Sequence, residues 1–270
     1  MTAGRGDTRA GAAPSSATAS WREGDDAVLK KRLRLDQALV ERGLVTSRER
    51  GQALIRAGLV AVSGTIADRP DQSVRHDAAI ELRGRAPFVS RGGQKLESAL
   101  SELGIEVRGR VCLDVGASTG GFTDVLLQQG ATAVIAVDVG YGQLAWSLRQ
   151  DPRVRLLERT NIRQLEQLPL PATLATIDVS FISLRQVLPP VKRLLDPPGD
   201  VIALVKPQFE VGKGRVGKGG VVRDPAQHQE VLRTLRQATA DMGFQWLAQA
   251  TSPIVGAKGN REFFIHLRPA

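Results

Sequence analysis

Two lysines and a set of carboxylates stand at places in this 270-residue chain where proton transfer and ligand binding are done. Asp114, Asp138 and Asp178 lie at or near the ends of short apolar runs at 111–115, 134–137 and 174–177, and Lys206 directly follows another at 201–205. Runs of this length read as buried parallel strands, and ligands of such sheets bind beyond the carboxyl ends of the strands. Asp178 and Lys206 then end adjacent strands and converge. An amine takes a proton from a reacting hydroxyl only where burial or a neighbouring cation has depressed its pKa. Lys95 is placed to supply that cation, and Asp178 with a further carboxylate would hold both ammonium groups.

The ligand is suggested by the turn after residue 115. Asp114-Val-Gly116-Ala117-Ser118-Thr-Gly120-Gly121-Phe122 joins a strand to a helix over 122–129. Its missing Cβ atoms let the backbone approach a ligand at a helix N-terminus. The spacing is neither G-x-G-x-x-G nor that of a P-loop. It is D-x-G-x-x-x-G-G, which suits S-adenosylmethionine (SAM), a ligand with an adenosine, a sulfonium and an amino-acid tail but no phosphates. Asp114, Gly116, Ala117, Ser118, Gly120, Gly121, Phe122 and Asp178 are the expected cofactor contacts. Asp138, at the end of the next strand, suits the ribose hydroxyls, although it also suits a turn cap. Asn161, after a strand at 154–157, suits the adenine edge or an Asx turn equally well. Transfer of the SAM methyl to a hydroxyl is an in-line displacement in which the oxygen must be aligned and lose its proton.

The elements that hold these residues alternate strand and helix, which predicts a doubly wound α/β sheet. A helix over 94–103 places Lys95 in its first turn, where a cation opposes the helix dipole. A helix over 184–195, one from Pro225 to Met242, and closing strands near 244–250 and 262–267 complete the large domain, 90–270. Residues 212–219 nearly spell a P-loop, but Gly219 stands where a Ser or Thr would hold magnesium, so ATP binding is not expected. A basic loop over the pocket, with Lys213, Arg215 and Lys218 on phosphates, fits better.

Residues 1–28 are rich in Ala, Ser, Gly and Thr and are expected to be a disordered tail. Between 30 and 56, eight basic residues stand against three acids. A short helix ending at Gly43 and a second opened by a Thr46-Ser-Arg-Glu49 capping box would turn the arginines outward as a solvated basic face. A strand at 59–62, a Ser63-Gly64 turn and a return strand follow. Arg32, Arg34, Arg48, Arg50, Arg56 and Arg91 are the expected nucleic-acid contacts. Residues 29–84 form this α+β unit and 85–89 the linker.

A net charge of +9 and a pI near 10.4 point to a polyanionic partner. The lone Cys112, inside a core strand, excludes a disulfide framework and gives no metal site. No apolar run approaches bilayer length, and a monomer in the cytoplasm, without membrane contact, is expected.

The order Arg34-Leu-Asp-x-x-Leu39, Gly43-Leu44, Ser47-Arg48, Leu54-Ile55, Gly58, Val60, Val62, Gly64 resembles the S-four RNA-binding domain, departing from it at Gly51 and Ser63. Lys95, Asp178, Lys206 and Glu262, the last in Gly259-Asn-Arg-Glu-Phe-Phe264, resemble the Lys-Asp-Lys-Glu tetrad of FtsJ-like 2′-O-ribose methyltransferases. That resemblance implies that Lys206 is the general base, while Lys95, Asp178 and Glu262 orient the hydroxyl and tune it. Together the two units resemble the TlyA family, through Ser90-Arg-Gly-Gly-x-Lys95-Leu, Asp138-Val-Gly-Tyr-Gly-Gln-Leu-Ala-Trp146, Asp178-Val-Ser-Phe-Ile-Ser183 and Val205-Lys-Pro-Gln-Phe-Glu-Val-Gly212. The resemblance implies SAM-dependent methylation of cytidine in ribosomal RNA. With only eight residues after Glu262, it favours the large ribosomal subunit over the small one. The competing expectations are a membrane-active cytolysin and a non-catalytic RNA-binding assembly factor.

Overall fold

The computed structural model describes residues 32–45, 47–83, 87–212, 214–256 and 258–270, excepting the side chain of Lys218. The expected tail, Thr46, part of the linker, Lys213 and the Lys218 side chain lie outside the described residues.

The N-terminal elements are β1 (Arg32–Arg34), α1 (Leu35–Glu41), α2 (Arg48–Arg56), β2 (Val60–Val62), β3 (Thr65–Ile66), β4 (Ser73–Arg75) and β5 (Ile80–Leu82). They make an antiparallel β1–β4 pair and a three-stranded sheet in the order β3-β2-β5. Leu35, Leu39, Ile55 and Val60 are fully buried and close a small core of their own. Helix α2 begins one residue later than a Thr46 cap would give: the Ser47 hydroxyl accepts from the Arg50 amide at 3.2 Å. At Ser63 and Gly64 the backbone has φ of 49° and 81°, the two successive left-handed residues of a tight hairpin.

The larger unit runs α3 (Arg91–Leu103), β6 (Val111–Val115), α4 (Gly121–Gln128), β7 (Ala133–Val137), α5 (Trp146–Arg149), β8 (Val154–Leu157), β9 (Ala172–Ile177), α6 (Leu184–Leu194), β10 (Leu195–Val205), α7 (Pro207–Glu210), α8 (Pro225–Asp241), β11 (Phe244–Thr251) and β12 (Phe263–Pro269). Its seven strands lie in the order β11-β12-β10-β9-β6-β7-β8. Strands β6 to β10 pair parallel with one another, and β12 runs antiparallel between β10 and β11. Strands β6–β8 are laid down in one direction and β9–β10 in the other, so the order reverses between β6 and β9. A crevice opens at such a reversal because the two connections leave on opposite faces. The sheet is apolar on both faces and packs one core against each. This is the doubly wound fold expected from the alternation of strands and helices.

Two expected details change. Helix α3 starts at Arg91, not 94, so Lys95 lies in its second turn and the argument from an opposing helix dipole falls away. Glu262 immediately precedes β12 instead of lying within it.

Candidate active site

At the reversal, Gly116 has φ +86°, and a Cβ there would overlap the Asp178 carbonyl oxygen. The ends of β6 and β9 come this close only because residue 116 has no side chain. Asp138 accepts the Ser118 amide at 2.7 Å on one carboxylate oxygen and the Gly140 amide at 2.7 Å on the other. It therefore ties the glycine turn to the end of β7 and still keeps lone pairs for a ligand. A cavity of about 680 Å³ opens here, lined by Gly116, Ser118, Asp138, Asn161, Asp178 and Phe181. Its volume and polar rim suit an adenosine-bearing cofactor. Asn161 makes the Asx turn, its side chain accepting the Arg163 amide at 3.1 Å, and the residue also lines the cavity.

Two expected cofactor contacts are corrected. The Asp114 carboxylate is wholly buried beneath the turn, accepting from Thr123 at 2.6 Å and Thr176 at 3.2 Å, and lines no described cavity. Burial, reinforced by the charge of Asp178, pushes its pKa up to about 7. Gly120 packs against Leu144 and Leu148, and a Cβ there would collide with both, so it serves the fold of the turn.

On the other side of Gly116 and Asp178 lies a second cavity, of about 270 Å³, lined by Arg56, Arg91, Lys95, Ala117, Gly121 and Phe122 among others. Lys95 enters it from α3, whose start presses onto α4: a Cβ on Gly121 would overlap the Ser90 hydroxyl. The Lys95 ammonium donates to Glu262 at 2.6 Å. Glu262 is 3% exposed, seated so closely against Gly256 that a Cβ there would overlap its Oε1. The Lys206 ammonium stands 2.5 Å from Asp178 Oδ1 and donates to the Ser180 hydroxyl at 3.0 Å. Lys95 and Lys206 each retain only 12% exposure. All four tetrad residues are thus linked to one cavity as two lysine–carboxylate pairs, Lys95 and Asp178 lining it directly. Each ammonium is held by a carboxylate, as the sequence led one to expect of Asp178 and a further acid, and the pairing neutralises each buried ammonium locally.

Several contributors have weak sequence signals. Ser180 reaches Lys206 only because the chain turns sharply after β9. Phe181, with φ +64° and 90% of its surface exposed, leans on Phe209 at 5.1 Å. Glu210 accepts from the Ser183 hydroxyl at 2.7 Å and the Leu184 amide at 2.8 Å, fixing the start of α6 beside the cleft, and burial raises its pKa.

The expected basic face is less free than its composition suggests. Arg34 and Arg48 both hold the fully buried Asp36, at 3.0 and 3.1 Å. Arg32 donates to Ser73, and Arg215 forms a two-pronged pair with Glu230. These four have structural partners because a buried or nearby acceptor claims them. Arg50 lies on the exposed side of α2. Arg56 and Arg91 line the second cavity, Arg91 also pairing with Asp68 of the N-terminal unit at 3.2 Å.

Comparison with known proteins identifies both units of the chain. The FtsJ-like methyltransferase family model matches residues 88–269, and the S4 domain model matches residues 33–80. The chain is 48% identical over 241 residues to a suspected rRNA methyltransferase of Bacillus subtilis, YqxC, covering 88% of this chain and 86% of that one. It is 47% identical over 244 residues to the 16S/23S rRNA (cytidine-2′-O)-methyltransferase TlyA of Mycobacterium tuberculosis, covering 89% and 91%. A solved structure of a suspected hemolysin from Streptococcus thermophilus superposes with a TM-score of 0.70 at 43% identity, covering 88% and 89%. With its reversal crevice, its paired lysines and carboxylates and its N-terminal RNA-binding fold, the chain belongs to the FtsJ-like methyltransferase family, among the relatives that carry the TlyA name.

Proposed function

We propose that this protein methylates the 2′-oxygen of cytidine in ribosomal RNA, using SAM. The observation that carries the reading is the meeting of two lysine–carboxylate pairs at a cavity that shares Gly116, Ser118 and Asp178 with a cofactor-sized one. Asp138 and Asn161 suit the adenosine, and the glycine turn accommodates the amino-acid tail. When bound, SAM supplies an electrophilic methyl on a sulfonium. Lys206 takes the proton from the ribose hydroxyl as the oxygen attacks, having first released one of its own. Asp178 and Ser180 aim the Lys206 amine. Lys95, steadied by Glu262, donates to the hydroxyl oxygen and fixes its direction. Cytidine and the ribosome are inferred from the activity named for the Mycobacterium tuberculosis relative, and the basic lining from Arg56 and Arg91 favours a polyanion. The protein acts in the cytoplasm, where that substrate lies, and as a monomer, because one chain supplies the whole site. Among the described residues no helix is long and apolar enough to cross a membrane, and no observation favours the cytolysin.

The test is transfer of labelled methyl from SAM to unmodified small and large ribosomal subunits. Alkali-resistant cytidine-containing dinucleotides should carry the label, and the two subunits assayed apart identify which one is used. Lys206→Ala should lower kcat by about 100-fold or more while SAM still binds. Label on protein or on a base carbon, or full activity in Lys206→Ala, would sink the assignment.

A further inference from the structure

A third cavity, of about 390 Å³, lies beside the tetrad and has no part in the chemistry described. Arg223, Lys258 and Arg261 line it, with Pro225 at the start of α8 and Val255. Among the described residues none of the three cations makes an ion pair or side-chain hydrogen bond, whereas most other arginines of the chain do. The two acids adjacent in sequence are both occupied: Asp224 caps α8, accepting the Ala226 amide at 2.9 Å, and Glu262 holds Lys95 at 2.6 Å. The N-terminal end of α8 adds its partial positive charge to the same side.

The cavity is also braced from behind. Asn260 is 2% exposed, accepting the Val222 amide at 2.9 Å and donating to the Gly220 carbonyl at 2.9 Å. His228 meets the Val222 carbonyl at 2.9 Å from beneath. Lys258 lies over Gly220, its ammonium 3.6 Å from where a Cβ would be. The turn carrying Lys258 and Arg261 continues directly into Glu262, and Val255 lines both this cavity and the one holding Lys95. This cavity therefore adjoins, across Val255, the one that Lys95 enters.

We propose that this cavity binds backbone phosphates of the RNA strand that carries the target ribose. The inference rests on the proposed function and extends it to substrate positioning. The carbon bearing the 2′-oxygen adjoins the one bearing the 3′ phosphodiester, so a strand entering the tetrad must leave phosphates beside it. Arg223, Lys258 and Arg261 hold them without reading sequence, and the tetrad receives the ribose in register. They are positioning residues, since they touch the substrate away from the reacting atoms.

The test compares the triple variant Arg223→Ala, Lys258→Ala, Arg261→Ala with a control that removes equal charge from exposed faces of α6 and α8: Arg193→Ala, Arg233→Ala, Arg236→Ala. With large or small ribosomal subunits, whichever the wild type methylates, the first should raise KM about 10- to 100-fold and leave kcat within about threefold. The slope of log binding against log salt should become shallower by about 2, near 0.7 for each lost single-strand phosphate contact. SAM affinity and melting temperature should match the wild type, and the control should change neither KM nor slope. Unchanged KM and slope in the triple variant, or equal losses in the control, would overturn the proposal. Binding of a fluorescent oligocytidylate to the full chain without SAM separates the two readings. If the wild type methylates no rRNA but the slopes still differ, the activity falls and the phosphate site stands. If methylation is intact and the slopes agree, the phosphate site falls and the activity stands.

Discussion

Asp114 stands in the D-x-G pattern of a cofactor loop, yet its carboxylate points into the protein, under two threonine hydroxyls. Burial makes its charged form costly, and the nearby charge of Asp178 adds to the cost, moving its pKa from 3.8 to about 7. A folded-state pKa above the unfolded one means that the folded protein binds more protons between these values. The Asp114 contribution to stability is therefore full at the acidic end of the window and declines as pH rises from about 4 to about 7. Asp114→Asn should flatten that decline in denaturant titrations across this range, with one threonine hydroxyl turned to accept from the new amide. An unchanged slope would mean that Asp114 ionises freely. Asp36 shows the opposite case: two guanidinium groups hold its carboxyl well below the usual range, although it too is fully buried.

At the scale of elements, local backbone chemistry accounts for most of what positions the site. The Ser63-Gly64 hairpin needs two left-handed residues and supplies one poorly suited to that conformation. Ser63→Asn, which tolerates positive φ better, should raise the stability of the N-terminal unit by about 0.5–1 kcal/mol, seen as a higher urea midpoint at constant slope. A lower midpoint would show that the Ser63 side chain contributes something its backbone angle does not reveal. Helix α3 is placed by close contacts of small residues: Gly93 under Phe88 and Gly121 under Ser90. These contacts carry Lys95 to the cleft more surely than any helix-dipole effect, which is why the glycines of Ser90-Arg-Gly-Gly matter as much as the lysine they precede. Gly51 shows the same device within the N-terminal unit, where a Cβ would press on Leu39 at 3.3 Å.

For the whole molecule, the N-terminal unit and the methyltransferase unit keep separate cores. The Arg91–Asp68 ion pair that joins them is partly exposed and adds little to stability. Calorimetry should therefore resolve two unfolding transitions. SAM at about 100 times its Kd should stabilise only the one that contains Gly116, by about 2.7 kcal/mol. A single transition shifted as a whole would show that the two units fold as one.

The alternation of apolar runs and helical periods was enough to indicate a doubly wound sheet and the strand ends that carry Asp138, Asp178 and Lys206, because strand and helix periodicity are local; the strand order and its reversal came from the tertiary structure. The tetrad positions were readable through their motif contexts. The pairing of charges was not: Lys95 meets Glu262 across 167 residues, and only packing decides which carboxylate reaches which ammonium. The same holds for Asp114, turned inward by two threonines, and for Arg34 and Arg48, claimed by a buried aspartate. It holds too for the cation cavity at Arg223, Lys258 and Arg261, whose residues have no common motif and meet only when β12 is inserted between β10 and β11. Sequence determines which groups are available and which element carries each; burial and approach in three dimensions decide which of them are neutralised and which stay free to bind.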